Sequence, residues 1–252
     1  MLLTSCGSNS TNTTNTSTAP AQRGPSAVGQ QAVTINSADG VQLVGTFWAS
    51  SNPSSSALLL LHQWQSDRHS FDDFAKLMNS EGFAVLSIDG RGFGESVKRV
   101  DGSRVSAERT DDAVKAMLGD VAAAVEFLKH QPNVDPQRIG IVGASYGSSL
   151  AIIYGADHAD IKAVALLSPG LNYFGNMPTI PAISKYGDRP LYLLSGQQQD
   201  EESFDAVHQL NRACPKCEST IHPDGGHGTA LLKVGADEKL RDFFDRKLTV
   251  IE

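Results

Sequence analysis

The segment Gly143-Ala144-Ser145-Tyr146-Gly147 has the residue types and spacing for nucleophilic chemistry. A serine with glycines two residues to either side, set between an apolar run and a helical stretch, has the form of a nucleophile elbow. The serine must sit on a sharp, strained strand-to-helix turn. The glycines let strand and helix approach, and the helix N-terminus is aimed at the hydroxyl. A capping serine in a glycine-rich turn shares this spelling, but here Ile139 to Val142 supplies the strand before it and an apolar helix follows. The chemistry implied is acyl transfer through a tetrahedral intermediate, which needs two preorganised N–H donors. The backbone of Tyr146, next after the serine, is expected to be one of them.

A second reactive pair is Cys214-Pro215-Lys216-Cys217. In an oxidising compartment the two thiols could close a local disulfide. A redox motif usually opens a helix, whereas this pair follows one and precedes a strand. A zinc half-site would need two more ligands, for which His208 and His222 are near in sequence. The expectation is a disulfide, with no metal and no organic cofactor.

Elements that alternate along the chain must position these groups. Val33 to Ile35 and Val41 to Trp48, joined by Asp39-Gly40, carry a hairpin signal. Ala57 to Leu61 is a continuous apolar run, as a strand buried on both faces requires. Further strands are expected at 83–88, 138–142, 161–167, 191–194 and 219–222. Helices are expected at 70–79, 110–130, 145–154, 201–212 and 230–248. Val114, Met117, Leu118, Val121, Val125 and Leu128 make a helical stripe in the longest of these. Strand after helix after strand, led by a hairpin, means an α/β fold: a mostly parallel eight-stranded sheet with helices on both faces. Ligands then sit at the carboxyl ends of the strands, and the motifs all fall just after strands.

Composition sets the frame. The chain has 252 residues, enough for one α/β domain with a sizeable core. A formal net charge of -7 and no Lys/Arg cluster argue against nucleic acid as a partner. There is no apolar stretch of about 18 residues, the length a membrane-spanning helix needs. Ser8 to Gln31 is rich in Ser, Thr, Asn and Ala with almost no large apolar residue, so residues 1–31 read as a disordered tether and 32–252 as the folded domain.

Two resemblances add to this reading. Leu3-Thr4-Ser5-Cys6 resembles the lipobox of bacterial lipoproteins, which implies that Cys6 is lipidated and that the protein is extracytoplasmic and membrane-anchored. The basic and apolar regions that normally precede the box are missing, leaving either a start of translation upstream of Met1 or an ordinary tail on a secreted or cytoplasmic protein. From about Val33 to Leu248 the chain resembles the α/β-hydrolase superfamily, in its dienelactone-hydrolase-like and small-esterase branches. The resemblance is carried by the elbow, by Val134-Asp135-Pro136-Gln137-Arg138-Ile139-Gly140-Ile141-Val142-Gly143 leading into it, and by Ile88-Asp89-Gly90-Arg91-Gly92-Phe93-Gly94-Glu95-Ser96.

That resemblance implies an order of Ser, acid, His along the chain. It makes Ser145 the nucleophile and His227, in Gly225-Gly226-His227-Gly228, the base, ahead of His222. The acid is expected after the strand 191–194. Relatives often place it three residues after the glycine, where this chain has Gln199, so Asp200 is the expected acid one residue late, before Glu201, Glu202 and Asp205. Some relatives carry the acid one strand earlier, but Ser168-Pro169-Gly170-Leu171-Asn172 offers no carboxylate. His62-Gln63-Trp64 stands where relatives often have His-Gly-x, so Trp64 N–H is the expected second oxyanion donor and His62 a structural residue. The Trp64 and Tyr146 side chains are expected to line the substrate pocket. Pro169 to Arg189 leaves little or no lid, which favours small or short-acyl esters. Dienelactone hydrolases proper use a cysteine nucleophile, unlike this chain. The expected activity is therefore that of a serine carboxylesterase. A peptidase, amidase or thioesterase of the same fold, or a non-catalytic surface-anchored binding lipoprotein, are the alternatives.

Overall fold

A computed structural model describes Met1 and residues 29–249 of the chain. Cys6 and most of the stretch read as a tether lie outside the described residues. The first strand, β1 (Gln30–Asn36), pairs antiparallel with β2 (Gln42–Trp48) across a turn in which Gly40 takes φ 84°. Then follow β3 (Ser55–Leu61), α1 (Asp72–Ser80), β4 (Ala84–Ile88), α2 (Asp111–Lys129), β5 (Val134–Ala144), α3 (Tyr146–Asp157) and β6 (Ile161–Leu167). After two very short strands, β7 (Asn172–Tyr173) and β8 (Met177–Pro178), come α4 (Thr179–Tyr186), β9 (Leu191–Gly196), α5 (Glu201–Ala213), β10 (Glu218–His222) and α6 (Ala236–Leu248).

Eight strands form one sheet in the order β1-β2-β4-β3-β5-β6-β9-β10. β2 meets β4 antiparallel, and every pair from β4 to β10 is parallel. This is the mostly parallel sheet that the alternation of elements implies, in the α/β-hydrolase arrangement that the resemblance implies. The order reverses around β3, and α2 and α3 cover one face while α1 and α6 cover the other.

The two-residue period of a strand explains how one apolar run serves both faces. Leu59 and Leu61 of β3 pack with Val114, Met117, Val121 and Val125 of α2. Leu58 and Leu60 point the other way, onto Phe74 and Met78 of α1 and Phe243 and Phe244 of α6. Each such leucine, fully withdrawn from water, contributes on the order of 2 kcal/mol. Thr110 caps α2, its hydroxyl oxygen accepting the Ala113 N–H at 3.2 Å.

Between β6 and β9 the chain holds more structure than its sequence pattern indicates. β7 and β8 form a small hairpin, and α4 buries Ala182, Ile183 and Tyr186. At the end of α5, Cys214 and Cys217 are joined by a disulfide.

Candidate active site

Ser145 is placed by a turn that most side chains could not make. It stands between β5 and α3 with φ 55° and ψ -123°, a positive φ that L-residues avoid. Its N–H donates to the Leu167 carbonyl of β6 at 2.8 Å, and its carbonyl accepts the Ser148 N–H and hydroxyl. The flanking glycines are there for contact. A methyl group at Gly143 would lie 2.1 Å from the Gly147 carbonyl oxygen, and one at Gly147 would lie 2.6 Å from the Leu61 carbonyl oxygen. Any larger residue would push α3 off the sheet and take Ser145 with it.

Asp200 and His227, the expected acid and base, meet across the neighbouring strand ends. Asp200 Oδ1 lies 2.6 Å from His227 Nδ1, and Asp200 is buried while the His227 side chain is 42% exposed. A carboxylate only accepts, so Nδ1–H donates to it, and in the neutral ring Nε2 is then the nitrogen with the lone pair. The extra residue before Asp200 is absorbed by Gln199, which adopts φ 63°. That left-handed step brings Asp200, and not the residue before it, to the histidine. Gly196 makes room for the meeting, since a methyl group there would lie 1.9 Å from the Gly225 carbonyl oxygen. The rival His222 is buried at the end of β10, where burial lowers its pKa.

One residue of this cluster escaped the sequence reading. Ser168, at the end of β6, donates its hydroxyl to Asp200 Oδ2 at 2.6 Å and accepts the Gly228 N–H at 2.7 Å. The available signal was positional: Ser168 follows β6 where relatives with the alternative arrangement carry their acid. On the hairpin beyond it, the Tyr173 hydroxyl donates to the Ser168 carbonyl at 2.9 Å and lies against the Ser145 side chain. Burial pushes the Tyr173 phenol above its ordinary pKa, so it stays a neutral donor.

The loop 62–64 runs beside the start of α3, where Gly147 faces the Leu61 and His62 carbonyls. His62 is buried; its Nε2 accepts the Gly90 N–H at 2.9 Å, so its Nδ1–H donates to the Gln63 carbonyl at 2.7 Å. Burial lowers its pKa and holds it neutral, the state this pair of bonds requires. Gln63, standing in place of glycine, uses its side chain: Oε1 accepts the Thr229 hydroxyl at 3.0 Å and the Thr229 N–H at 3.2 Å. The half-buried Trp64 ring packs on Phe93, Tyr146 and Phe174, with centroids 4.8, 5.3 and 4.8 Å away. The Tyr146 amide opens α3, where helical geometry leaves it without an intrahelical partner. Its side chain departs from expectation. Tyr146 is 3% exposed, and its phenol turns inward to a small cavity of about 20 Å³ with Met117, Asp120 and Leu150, beneath Trp64. The missing Cβ of Gly90 admits it, since a methyl group there would lie 2.7 Å from the Tyr146 hydroxyl. Tyr146 therefore packs under the site, and its ring does not form an acyl pocket.

Comparison with known proteins agrees with this fold. Residues 52–197 match the family described as serine aminopeptidase, S33. The match takes in the 62–64 loop and the elbow and ends before Asp200 and His227. The uncharacterized protein YfhR of Escherichia coli O157:H7 is 27% identical over 156 residues, 60% of this chain and 51% of that protein, so the chain spans about half the length of this curated relative. An esterase from Pyrococcus furiosus superimposes with a TM-score of 0.69 at 20% identity, over 88% of this chain and 92% of that one. A dienelactone hydrolase from Anabaena variabilis does so with a TM-score of 0.68 at 16% identity, over 88% and 99%. The chain belongs to the serine aminopeptidase S33 family of α/β-hydrolases.

Proposed function

We propose that this protein hydrolyses small carboxylic esters in two steps through an acyl-enzyme on Ser145. Ser145 Oγ attacks the ester carbonyl while His227 Nε2 takes its proton. The oxyanion is held by the N–H groups of Tyr146 and Trp64. Collapse expels the alcohol, protonated by His227, and a water activated by the same nitrogen then releases the acid. Asp200 keeps His227 in the productive tautomer and balances its charge while it is protonated. The observation that carries this reading is the 2.6 Å contact between Asp200 and His227 at the strand ends that also present Ser145. The aromatic side chains of Trp64, Phe93 and Phe174 beside the nucleophile support a small acyl group.

The family's name raises cleavage of peptide bonds as a second reading. One feature disfavours an aminopeptidase: the exposed Arg109 guanidinium rests 4.7 Å from the Trp64 ring centre and 4.8 Å from that of Phe174. A substrate α-ammonium group approaching this rim would meet a like charge. The test is hydrolysis of p-nitrophenyl esters from acetate to palmitate beside aminoacyl p-nitroanilides, for the wild type and Ser145→Ala. Turnover that falls with chain length, exceeds that of the anilides and vanishes in Ser145→Ala is expected. Faster anilide turnover would replace the esterase reading with the amidase one. Undiminished activity in Ser145→Ala would remove Ser145 from the mechanism.

A further inference from the structure

We infer that Ser168 is a positioning residue, which fixes Asp200 and the His227 loop to each other. This rests on the reading of Ser145, Asp200 and His227 as nucleophile, acid and base. Ser168 is wholly buried and has φ 50°, a backbone conformation that glycine holds with less strain. A serine in that place is explained by its hydroxyl. A hydroxyl has one proton to give, and the ionised Asp200 can only accept, so the proton goes to Asp200 Oδ2 at 2.6 Å. The lone pairs left on Oγ accept the Gly228 N–H at 2.7 Å, and Gly228 follows His227 directly. One oxygen thus bridges the acid and the backbone that carries the base.

The bridge is itself held from two sides. The Ser168 N–H donates to the Leu194 carbonyl of β9 at 2.7 Å, and the Ser168 carbonyl accepts the Tyr173 hydroxyl. Without the Ser168 hydroxyl, Asp200 Oδ2 would keep, among the described residues, only the Gly196 N–H, at 3.3 Å. Its charge would then be less satisfied and would fall more heavily on His227. The imidazolium would be stabilised, and the pH at which His227 becomes a free base would rise.

The test compares Ser168→Gly, which removes the hydroxyl and suits the positive φ, with Ser168→Ala, and uses Ser184→Ala on the exposed face of α4 as a control. Two readouts are taken: the pH profile of p-nitrophenyl acetate hydrolysis, and an NMR titration of the His227 ring, which needs no turnover. In both Ser168 variants kcat is expected to fall about tenfold or more with KM within about twofold, as loss of a hydrogen bond to a charged group predicts. The acid limb and the His227 titration are expected to move upward together. A residue that only supported the fold would lower activity equally at every pH. Ser168→Gly with kcat within about twofold of wild type and an unmoved His227 titration would overturn the inference. Failure of the underlying triad reading shows up separately, as activity surviving Ser145→Ala.

Discussion

At the scale of single residues, the site depends on side chains and dihedrals that are costly in isolation. Gln199 in a left-handed conformation costs on the order of 1 kcal/mol, and what it achieves is the placement of Asp200. This separates conformation from chemistry. Asp200→Asn is expected to lower kcat by about 10³–10⁴-fold, because an amide that donates to Nδ1 favours the wrong imidazole tautomer. Deleting Gln199 should match that loss by drawing Asp200 back from His227, while Gln199→Gly, which suits the positive φ, should keep activity within a few-fold. Ester turnover of the three variants checks this, and a fully active deletion would show that the acid lies elsewhere. Ser145 and His227 stand out in the sequence as candidates because each lies in a glycine-bracketed motif tied to a strand end. Asp200 was legible only as the best of a cluster, since a turn's register depends on which residue enters the left-handed region. Ser168 was not legible as a contact, because its partners come from β9 and the His227 loop, far away in sequence.

At the scale of elements, the loops that end β3 and β10 are tied by one side chain. Gln63 reaches across to Thr229, two residues past His227, and accepts two hydrogen bonds there. Its position next to Trp64 couples the proposed oxyanion amide to the proposed base. Gln63→Ala removes the acceptor and leaves the Thr229 groups without it. We expect roughly a tenfold fall in kcat, with thermal unfolding shifted by only a few degrees because the residue lies at the edge of the core. Gln63→Glu keeps an acceptor oxygen and should retain more activity than Gln63→Ala. Equal losses in the two would show that the bond to Thr229 does not matter. Gln63 in place of the usual glycine is therefore a departure with a use of its own, visible only once the His227 loop is seen beside it. The strands and helices themselves were legible, because apolar runs and helical stripes set them. β7 and β8 were not, since two-residue strands are too short to show any period, and α4 begins in a stretch holding Pro178 and Pro181.

At the scale of the whole molecule, buried histidines and paired carboxylates tie stability to pH in separate windows. His62 and His222 are both buried, and burial lowers both pKa values below the ordinary 6.5. The unfolded chain therefore binds protons there that the folded one refuses. Their contribution to stability is present above pH 6.5 and is lost as pH falls toward their folded values. The slope is about 1.4 kcal/mol per pH unit for each proton. Asp39 acts lower down. Its bonds to Arg91 hold its carboxyl well below the ordinary 3.8, so its contribution is complete at neutral pH and begins to fade only below that value. Urea unfolding at fixed ionic strength should thus show stability flat from pH 8 to about 6.5 and falling below it. In His62→Gln, where an amide oxygen can still accept the Gly90 N–H, the slope below about pH 6.5 should be shallower than in the wild type. The same loop carries Trp64, so charging His62 would break its bond to Gly90 and disturb the proposed oxyanion donor before the protein unfolds. Reversible loss of ester turnover in wild type at a pH where its folded fraction is still complete, and less of it in His62→Gln, is the expected result. An unchanged urea slope in His62→Gln would mean that His62 titrates alike in the folded and unfolded chain, and that the buried, neutral imidazole is not what links this fold to pH.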